Sequence, residues 1–153
     1  FAKVLVDNDS PYLKSIILNK GSKDKVKLGM AIVDGSYLVG KIIEVNFTNS
    51  RALLLSDLNS KIPVLLEPFD MHAVLSGTGQ NFGVIEYTKD EYEYLMKGDV
   101  IVYTSGQGGL FKPGLPVGKI STEDKNRRLI NFFSDFKQLE YVKIISYDFE
   151  GNN

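Results

Sequence analysis

Hydrophobic and polar residues alternate along this chain in short runs, and turn-forming residues separate the runs. Such alternation, with many β-branched and aromatic side chains, is the pattern of a strand with one buried face. Twelve short strands at close spacing favour β-barrels or a β-sandwich. The predicted strands are Ala2–Val6, Leu13–Asn19, Met30–Val33, Leu38–Val45, Ala52–Leu55, Ile62–Glu67, Ala73–Ser76, Gly83–Tyr87, Val100–Thr104, Gly118–Thr122, Arg128–Phe133 and Tyr141–Tyr147.

Turn signals indicate how neighbouring strands connect. Asp34-Gly35 lies between two predicted strands and predicts a type I′ hairpin, while Gly77–Gly83 predicts a longer hairpin loop. Only Asp90–Lys97 has a helical pattern, with Asp90 as a cap and Gly98 directly after its last residue. This helix would have two turns at most, so the sequence predicts an all-β fold.

The two halves of the chain share a sequence pattern. Val39–Ile42 recurs as Val117–Ile120, at an offset of 78 residues. The same offset relates Ser56-Asp57 to Ser134-Asp135 without a gap. A constant register across a strand, a loop and a second strand predicts a duplicated unit.

A second offset applies upstream of these matches. Gly29 and Ile32-Val33 match Gly98 and Ile101-Val102 at an offset of 69 residues. Since 78 exceeds 69 by nine, the second half is expected to carry nine extra residues before Val117. The insertion marks where the second unit departs from the first.

The duplication divides the chain into residues 1–70, residues 71–150 and a tail of residues 151–153. We expect each of the first two segments to form one small barrel. No Pro/Ser-rich linker separates them, which favours two packed barrels over two tethered ones. The sequence leaves open an exchange of strands between the barrels, so it does not fix the exact boundary near residues 67–72.

Composition narrows the possible functions. The 153 residues include 18 Lys and Arg against 19 Asp and Glu, a net charge of −1, whereas nucleic-acid-binding domains usually carry a basic excess. The absence of cysteine excludes disulfides, thiolate zinc sites and thiol nucleophiles. No apolar run approaches the roughly 20 residues of a membrane helix. Because the chain opens on a strand without methionine, we expect an excised piece whose anchor lies upstream.

His72 is the single histidine and follows Asp70-Met71. A general base or a metal ligand is one interpretation, and a histidine at a loop edge is the simpler one. A metal site would require further ligands, and a catalytic triad would require a nucleophile beside the imidazole. The sequence therefore predicts no metal, no cofactor and no catalytic residue.

The glycine-rich segment Thr104–Gly109 is neither a nucleophile loop nor a phosphate cradle by its sequence. A P-loop requires Lys-Ser/Thr after its glycines and a following helix, but Pro113 opposes a helix here. The segment belongs to the insertion, whose apolar side chains either plug the barrel or contact a partner. The candidate partner or assembly residues are Leu110, Phe111, Lys112, Pro113 and Leu115.

Other charged residues have ordinary explanations. Asp57 and Asp135 occupy equivalent turns of the two halves, which accounts for both without acid–base chemistry. Glu44 and Glu67 complete the set of carboxylates that could suggest a pair. The alternating lysines of residues 23–27 are typical of a solvated turn.

Several motifs, in their order along the chain, resemble the periplasmic core of the bacterial rod shape-determining protein family MreC. The resemblance covers roughly residues 15 to 120, and its most specific part is the run Pro113–Gly118 after Gly108-Gly109. Lys25, Lys112 and the pair Met71-His72 depart from the family pattern, and we expect all of them to lie in turns. The other residues that carry it are Lys20–Ser22, Asp24, Val26, Gly29-Met30, Leu38–Ile42, Glu44-Val45, Ser50-Arg51, Leu53–Asp57, Asn59–Lys61, Pro63-Val64, Gly77–Gly79, Gly98-Asp99, Val102, Thr104–Gly106 and Phe111.

The resemblance implies two six-stranded β-barrels, distantly like those of trypsin-like proteases but without a catalytic triad. It also implies a non-enzymatic scaffold of the cell-elongation machinery that self-associates and positions peptidoglycan synthases. The implied partners are a class B transpeptidase and membrane proteins of the elongation complex. The implied location is the periplasmic face of the inner membrane, with a transmembrane helix and a coiled coil upstream. Binding would use apolar anchors such as Leu110 and Phe111 and pairing at strand edges.

Two alternatives belong to other functional classes. A degenerate or active trypsin-like hydrolase would require His72 close to a serine and an acid. A nucleic-acid-binding barrel would use Phe132, Phe133 and Phe136 beside Arg127-Arg128 to stack bases.

Overall fold

A computed structural model describes residues 1–9, 13–68, 70–86, 99–109, 111–121 and 129–146, and for residues 6–9 the backbone alone. Each of the twelve predicted strands is confirmed, and no end differs from its predicted position by more than three residues. The predicted helix Asp90–Lys97 lies outside the described residues. The strands are β1 (Ala2–Asp9), β2 (Lys14–Leu18), β3 (Ala31–Asp34), β4 (Tyr37–Val45), β5 (Ser50–Leu54), β6 (Lys61–Glu67), β7 (Met71–Gly77), β8 (Phe82–Glu86), β9 (Ile101–Thr104), β10 (Pro116–Ile120), β11 (Leu129–Phe132) and β12 (Tyr141–Ile145).

The strands close into two six-stranded antiparallel barrels, as the resemblance implied. The first has the order β1-β12-β3-β4-β5-β2, and the second has the order β10-β11-β8-β7-β6-β9. Thus β6, from the first half of the chain, lies in the second barrel, and β12 lies in the first. The barrels therefore do not coincide with residues 1–70 and 71–150, because each half gives its last strand to the other barrel.

Strand pairing in the two barrels follows one register. Gly40 pairs with Leu54 and Ile42 with Ala52, while 78 residues later Gly118 pairs with Phe132 and Ile120 with Ile130. Backbone hydrogen bonds repeat in the same way, since Leu55 N–H donates to the Val39 carbonyl and Phe133 N–H donates to the Val117 carbonyl. The duplication therefore holds at the level of individual hydrogen bonds.

The upstream offset was wrong by one residue. Ile32 pairs with Gly40, and Val102 pairs with Gly118, so the equivalent of Ile32 is Val102, at an offset of 70 residues. Both side chains are fully buried. An alignment at 69 would place Ile101 in the position of Ile32, and a slip of one residue moves a side chain to the opposite face of the sheet. The second half consequently carries eight extra residues, since 78 exceeds 70 by eight, and not nine.

The core joins the two barrels. Ala31, Val33 and Leu38 belong to the first barrel, yet they lie in the same buried cluster as the interior of the second barrel. The interface also has polar and aromatic contacts: the Ser134 hydroxyl donates to the Asp34 carboxylate at 3.0 Å, and the rings of Tyr37 and Phe133 lie 5.1 Å apart. A shared apolar core favours a fixed arrangement of the barrels over independent motion.

The hairpin between β3 and β4 forms where predicted, but its turn type differs. Asp34 pairs with Tyr37, so the two turn residues are Gly35 and Ser36. Only Gly35 of these two has a positive φ, of 63°. A glycine with positive φ at the first turn position alone is the pattern of a type II′ turn, not type I′.

Lys25 adopts a left-handed backbone conformation, with φ of 68° after the short 3₁₀ turn Ser22–Asp24. Glycine adopts this conformation without the steric cost that a Cβ atom imposes. We therefore expect Lys25→Gly to raise the free energy of unfolding by about 0.5–1 kcal/mol in a denaturant titration. Lys23→Gly is the matched control, because Lys23 lies inside the turn and lacks a positive φ. Lys23→Gly should lower the free energy of unfolding. Equal effects of Lys23→Gly and Lys25→Gly on stability would contradict this explanation.

Candidate functional site

The insertion of the second barrel lies in the loop between β9 and β10, residues 105–115. Leu115 corresponds to Tyr37 at the offset of 78 residues, so residues 105–114 stand where the first barrel has the two-residue turn Gly35-Ser36. Four glycines of the loop have positive φ values: Gly106, Gly108, Gly109 and Gly114. These backbone conformations are strained for other residues, which explains the glycine-rich sequence without a phosphate ligand.

Thr104, at the end of β9, fixes the course of the loop. Its hydroxyl donates to the Lys112 carbonyl at 2.6 Å and accepts from the Leu115 N–H at 2.9 Å. Its backbone N–H donates to the Leu115 carbonyl, and its carbonyl accepts from the Gly114 N–H. The Thr104 side chain is buried. Its hydroxyl is therefore committed to holding the loop and is not a free nucleophile.

Phe111 plugs the second barrel. Its side chain is 2% exposed and belongs to the buried cluster that joins the two barrels. Leu115 packs against the same cluster from a partly buried position. For Phe111 the structure thus decides between the two alternatives left by the sequence, plug and exposed anchor, in favour of the plug. A buried Phe111 cannot serve as an apolar anchor for a partner.

The exposed part of the loop, among the described residues, contains glycine, proline and polar residues and no large apolar side chain. Lys112, Pro113 and Gly114 form its tip, and Gln107 and Gly108 are exposed on its first half. Leu110 lies outside the described residues. Of the candidate partner residues that the structure describes, Lys112 and Pro113 are the exposed ones.

Pairing at a strand edge is not available in the way the sequence suggested. Each barrel closes through hydrogen bonds around its full circumference, and closure removes the edges that could accept another strand. A partner would therefore contact these barrels through their exposed loops.

The prediction of a turn or loop edge at His72 was wrong, since His72 lies on β7 with an exposed side chain and pairs across the sheet with Leu65. Its imidazole forms no hydrogen bond or ion pair with the residues that the structure describes. Ser76 lies four residues further along the same strand, roughly 13 Å away at the usual rise of a β-strand. Proton transfer requires a separation near 3 Å, so His72 does not activate Ser76 in this geometry.

A polar triad on the second barrel escaped the sequence analysis. The Ser76 hydroxyl donates to Glu86 Oε2 at 2.8 Å, and Lys61 Nζ contacts both Ser76 Oγ and Glu86 Oε2 at 3.1 Å. The hydrogen bonds from Ser76 and Lys61 hold the pKa of the Glu86 carboxyl below its usual value. A Lys61 ammonium paired with a carboxylate cannot accept the Ser76 proton, so the group is a cross-strand ion pair and not a Ser–Lys dyad. The cross-strand pairing of Lys61 with Ser76, and of β7 with β8, can be predicted only once the strand register is known.

Asp57 and Asp135 form equivalent turns, as predicted. The Asp57 carboxylate accepts from the Asn59 N–H at 2.7 Å, and the Asp135 carboxylate accepts from the Lys137 N–H at 3.0 Å. Asp57 additionally accepts from the Lys14 N–H at 2.7 Å. Within the described part of the chain, no three His, Cys, Asp or Glu side chains are grouped as metal ligands would be.

The other two carboxylates are also engaged locally. Glu44 lies 3.9 Å from Arg51 Nε, and Glu67 accepts from the Asp70 N–H at 3.1 Å. The aromatic residues considered for base stacking are partly buried by packing against other parts of the protein. Phe132 and Phe136 have ring centroids 4.8 Å apart and lie against the shared core. Arg127-Arg128 lies outside the described residues.

Comparison with known proteins resolves the family. The model of the family described as rod shape-determining protein MreC, barrel core, matches residues 4–146. This chain belongs to the MreC family. A cell shape-determining protein MreC from Cereibacter sphaeroides is 36% identical over 142 residues, which cover 93% of this chain and 47% of that protein. The chain thus spans about half the length of this MreC relative.

Solved MreC structures have the same fold. The crystal structure of MreC from Pseudomonas aeruginosa gives a TM-score of 0.82 at 25% identity and covers 95% of this chain and 97% of that chain. The complex between Penicillin-Binding Protein (PBP2) and MreC from Helicobacter pylori gives a TM-score of 0.65 at 18% identity, over 93% of this chain and 91% of that chain. The similarity to the MreC of the Helicobacter pylori complex is a similarity of fold alone. Among the described residues, no helix is long and apolar enough to cross a bilayer.

Proposed function

We propose that this chain is the double-barrel part of a non-enzymatic scaffold that helps determine cell shape by positioning peptidoglycan synthases during elongation. The observation that carries the proposal is the match of residues 4–146 to the MreC barrel core. Relatives with this core are cell shape-determining proteins, and one solved MreC structure is a complex with a penicillin-binding protein. The partner proposed here is accordingly the class B transpeptidase of the same bacterium.

The geometry of the polar groups supports a role without bond-breaking. His72 has no serine or acid partner among the described residues, Thr104 holds a loop, and Ser76 donates to a carboxylate. The hydroxyls of Thr104 and Ser76 therefore each have a structural role. The proposed scaffold requires no cofactor and no nucleic acid.

The accessible tip of the insertion, Lys112 and Pro113, is the proposed contact for the transpeptidase or for assembly. Thr104 and Phe111 hold the loop rigid, so a contact made by its tip loses little conformational entropy on binding. Self-association of the barrels into dimers or filaments would add strength to individually weak contacts. The proposed location is the periplasmic face of the inner membrane, with the anchor upstream of residue 1.

A cell-shape assay of the full-length protein tests this function. In cells depleted of the natural protein, the unchanged protein is expected to restore rods, and Lys112→Glu is expected to give wider or rounded cells at equal protein level. Lys143→Glu, an exposed lysine on β12, is the matched control and should restore rods. Failure of the unchanged protein to restore rods would overturn the proposal, and normal rods with Lys112→Glu would remove the loop tip from it.

A further inference from the structure

Four of the 18 basic residues of this chain fall within residues 20–27, the lysine turn, at one end of the first barrel. Lys23, Lys25 and Lys27 are exposed, and Lys20 is half-buried. The carboxylate of Asp24 lies in the same turn, where it accepts a hydrogen bond from the Gly21 N–H at 3.2 Å. The turn is therefore strongly positive on a chain whose net charge is −1.

Large apolar side chains protrude beside these lysines. Phe47, in the loop between β4 and β5, is 68% exposed, and Leu28 is 66% exposed. Ile43 is also exposed, because a register shift between Ile42 and Glu44 places it in a bulge of β4. Exposed leucine, isoleucine and phenylalanine side chains grouped together mark an interaction surface more often than a free one.

Backbone hydrogen bonds join the lysine turn to the apolar loop. The Lys23 N–H donates to the Phe47 carbonyl at 3.1 Å, and the Ser22 N–H donates to the Asn46 carbonyl at 2.8 Å. At the other end of the turn, the Gly29 N–H donates to the Ile42 carbonyl at 2.8 Å. The two segments consequently form one surface, the lysine–phenylalanine patch: Lys20, Lys23, Lys25, Lys27, Leu28, Ile43 and Phe47.

An open cleft continues this surface. Its volume is about 390 Å³, and its polar walls are Lys20, Asp24, Lys25 and Ser146. Phe1, Val26, Met30 and Ile144 supply the apolar walls. Two ammonium groups and an apolar floor suit a phosphate that carries an aliphatic tail.

We propose that the lysine–phenylalanine patch docks on the surface of an anionic lipid bilayer. Phe47 and Leu28 would enter the boundary between headgroups and acyl chains, while the lysines would contact lipid phosphates. Apolar side chains flanked by lysines are the combination that binds such a boundary, and a lysine near an anionic surface contributes about 1 kcal/mol. Nucleic acid uses basic residues but gains little from protruding leucine and isoleucine. This inference goes beyond the scaffold function, because it fixes which end of the first barrel faces the membrane.

Vesicle flotation tests the proposal on this chain. We expect binding to vesicles that contain phosphatidylglycerol, weaker binding at high salt, and little binding to phosphatidylcholine alone. Lys23→Gln combined with Lys27→Gln should lower the partition coefficient roughly 30-fold, since 1 kcal/mol per lysine is about fivefold. Phe47→Ser should lower it about tenfold through the loss of apolar burial.

Matched variants and a second measurement keep the test decisive. Leu58→Ser and Lys137→Gln change exposed residues outside the patch, Leu58 being 58% exposed, and should leave vesicle binding unchanged. The proposal would be overturned if these controls lost as much vesicle binding as the patch variants, or if the unchanged chain did not bind anionic vesicles. Sedimentation of the same variants identifies the alternative occupant. A dimer that Phe47→Ser dissociates, without vesicle binding, would assign the patch to contact between copies of this chain.

Discussion

Replacing Phe111 by alanine is expected to lower the free energy of unfolding by about 4 kcal/mol, through lost burial and the cavity left behind. Phe111 is 2% exposed and lies in the cluster that joins the two barrels. For a domain of this size, the same loss should reduce the melting temperature by roughly 10 °C. Thermal and urea unfolding, followed by circular dichroism, measure both quantities.

Leu58→Ala is the control for this prediction, because Leu58 is a large apolar residue that is 58% exposed. Its substitution should change stability by no more than about 0.5 kcal/mol. A Phe111→Ala variant as stable as Leu58→Ala would show that the insertion does not plug the barrel. The expected loss also means that Phe111 variants test folding and cannot serve as clean probes of partner binding.

Gly40→Ala and Gly118→Ala are each expected to cost about 3 kcal/mol, from the same steric conflict in the two barrels. A Cβ atom at Gly40 would collide with the Leu53 carbonyl oxygen, and one at Gly118 would collide with the Asn131 carbonyl oxygen. Leu53 and Asn131 are themselves equivalent under the offset of 78 residues. The prediction therefore checks the duplication through energetics, by chemical denaturation of both variants.

Gly29→Ala separates backbone strain from collision. Gly29 has φ of 87°, and a Cβ atom there would meet nothing within 4 Å. Its substitution should cost about 1 kcal/mol, from the left-handed conformation alone. If Gly40→Ala costs no more than Gly29→Ala, or if Gly40 and Gly118 differ widely, the close approach of β4 to β5 and its counterpart in β10 and β11 would be refuted.

The sequence predicted the strands well because alternation reports burial directly. Gly40 and Gly118 mark the same close approach of two strands, so the motif around them recurs with its structural cause. Asp57 and Asp135 also recur for a local reason, since each carboxylate accepts from a backbone N–H two residues later. Local chemistry of this kind is readable from one chain.

Non-local features were harder to predict. The upstream offset was wrong by one residue because the identical pairs Ile32-Val33 and Ile101-Val102 match in sequence. Strand pairing instead places Val102-Tyr103 in the positions of Ile32-Val33. The exchange of β6 and β12 leaves no mark in composition, since each strand is apolar on its inward face in either barrel. The orientation of Phe111 was also undetermined, because a Gly/Pro-rich loop can turn its apolar residues inward or outward.

The triad of Lys61, Ser76 and Glu86 shows the same limit. The three residues are far apart in sequence and meet only because β6, β7 and β8 are neighbours in the second barrel. A serine and a lysine on adjacent strands resemble a catalytic dyad until the carboxylate is placed. Once Glu86 is placed, Lys61 forms an ion pair with its carboxylate and Ser76 serves as a hydrogen-bond donor to the same group.

The most direct test of the scaffold account is a binding titration of this chain against the periplasmic part of the class B transpeptidase from the same bacterium, by biolayer interferometry. We predict saturable binding by the unchanged chain, weaker binding by Lys112→Glu with an unchanged melting temperature, and unchanged binding by Lys143→Glu. The absence of binding by the unchanged, folded chain would contradict the account.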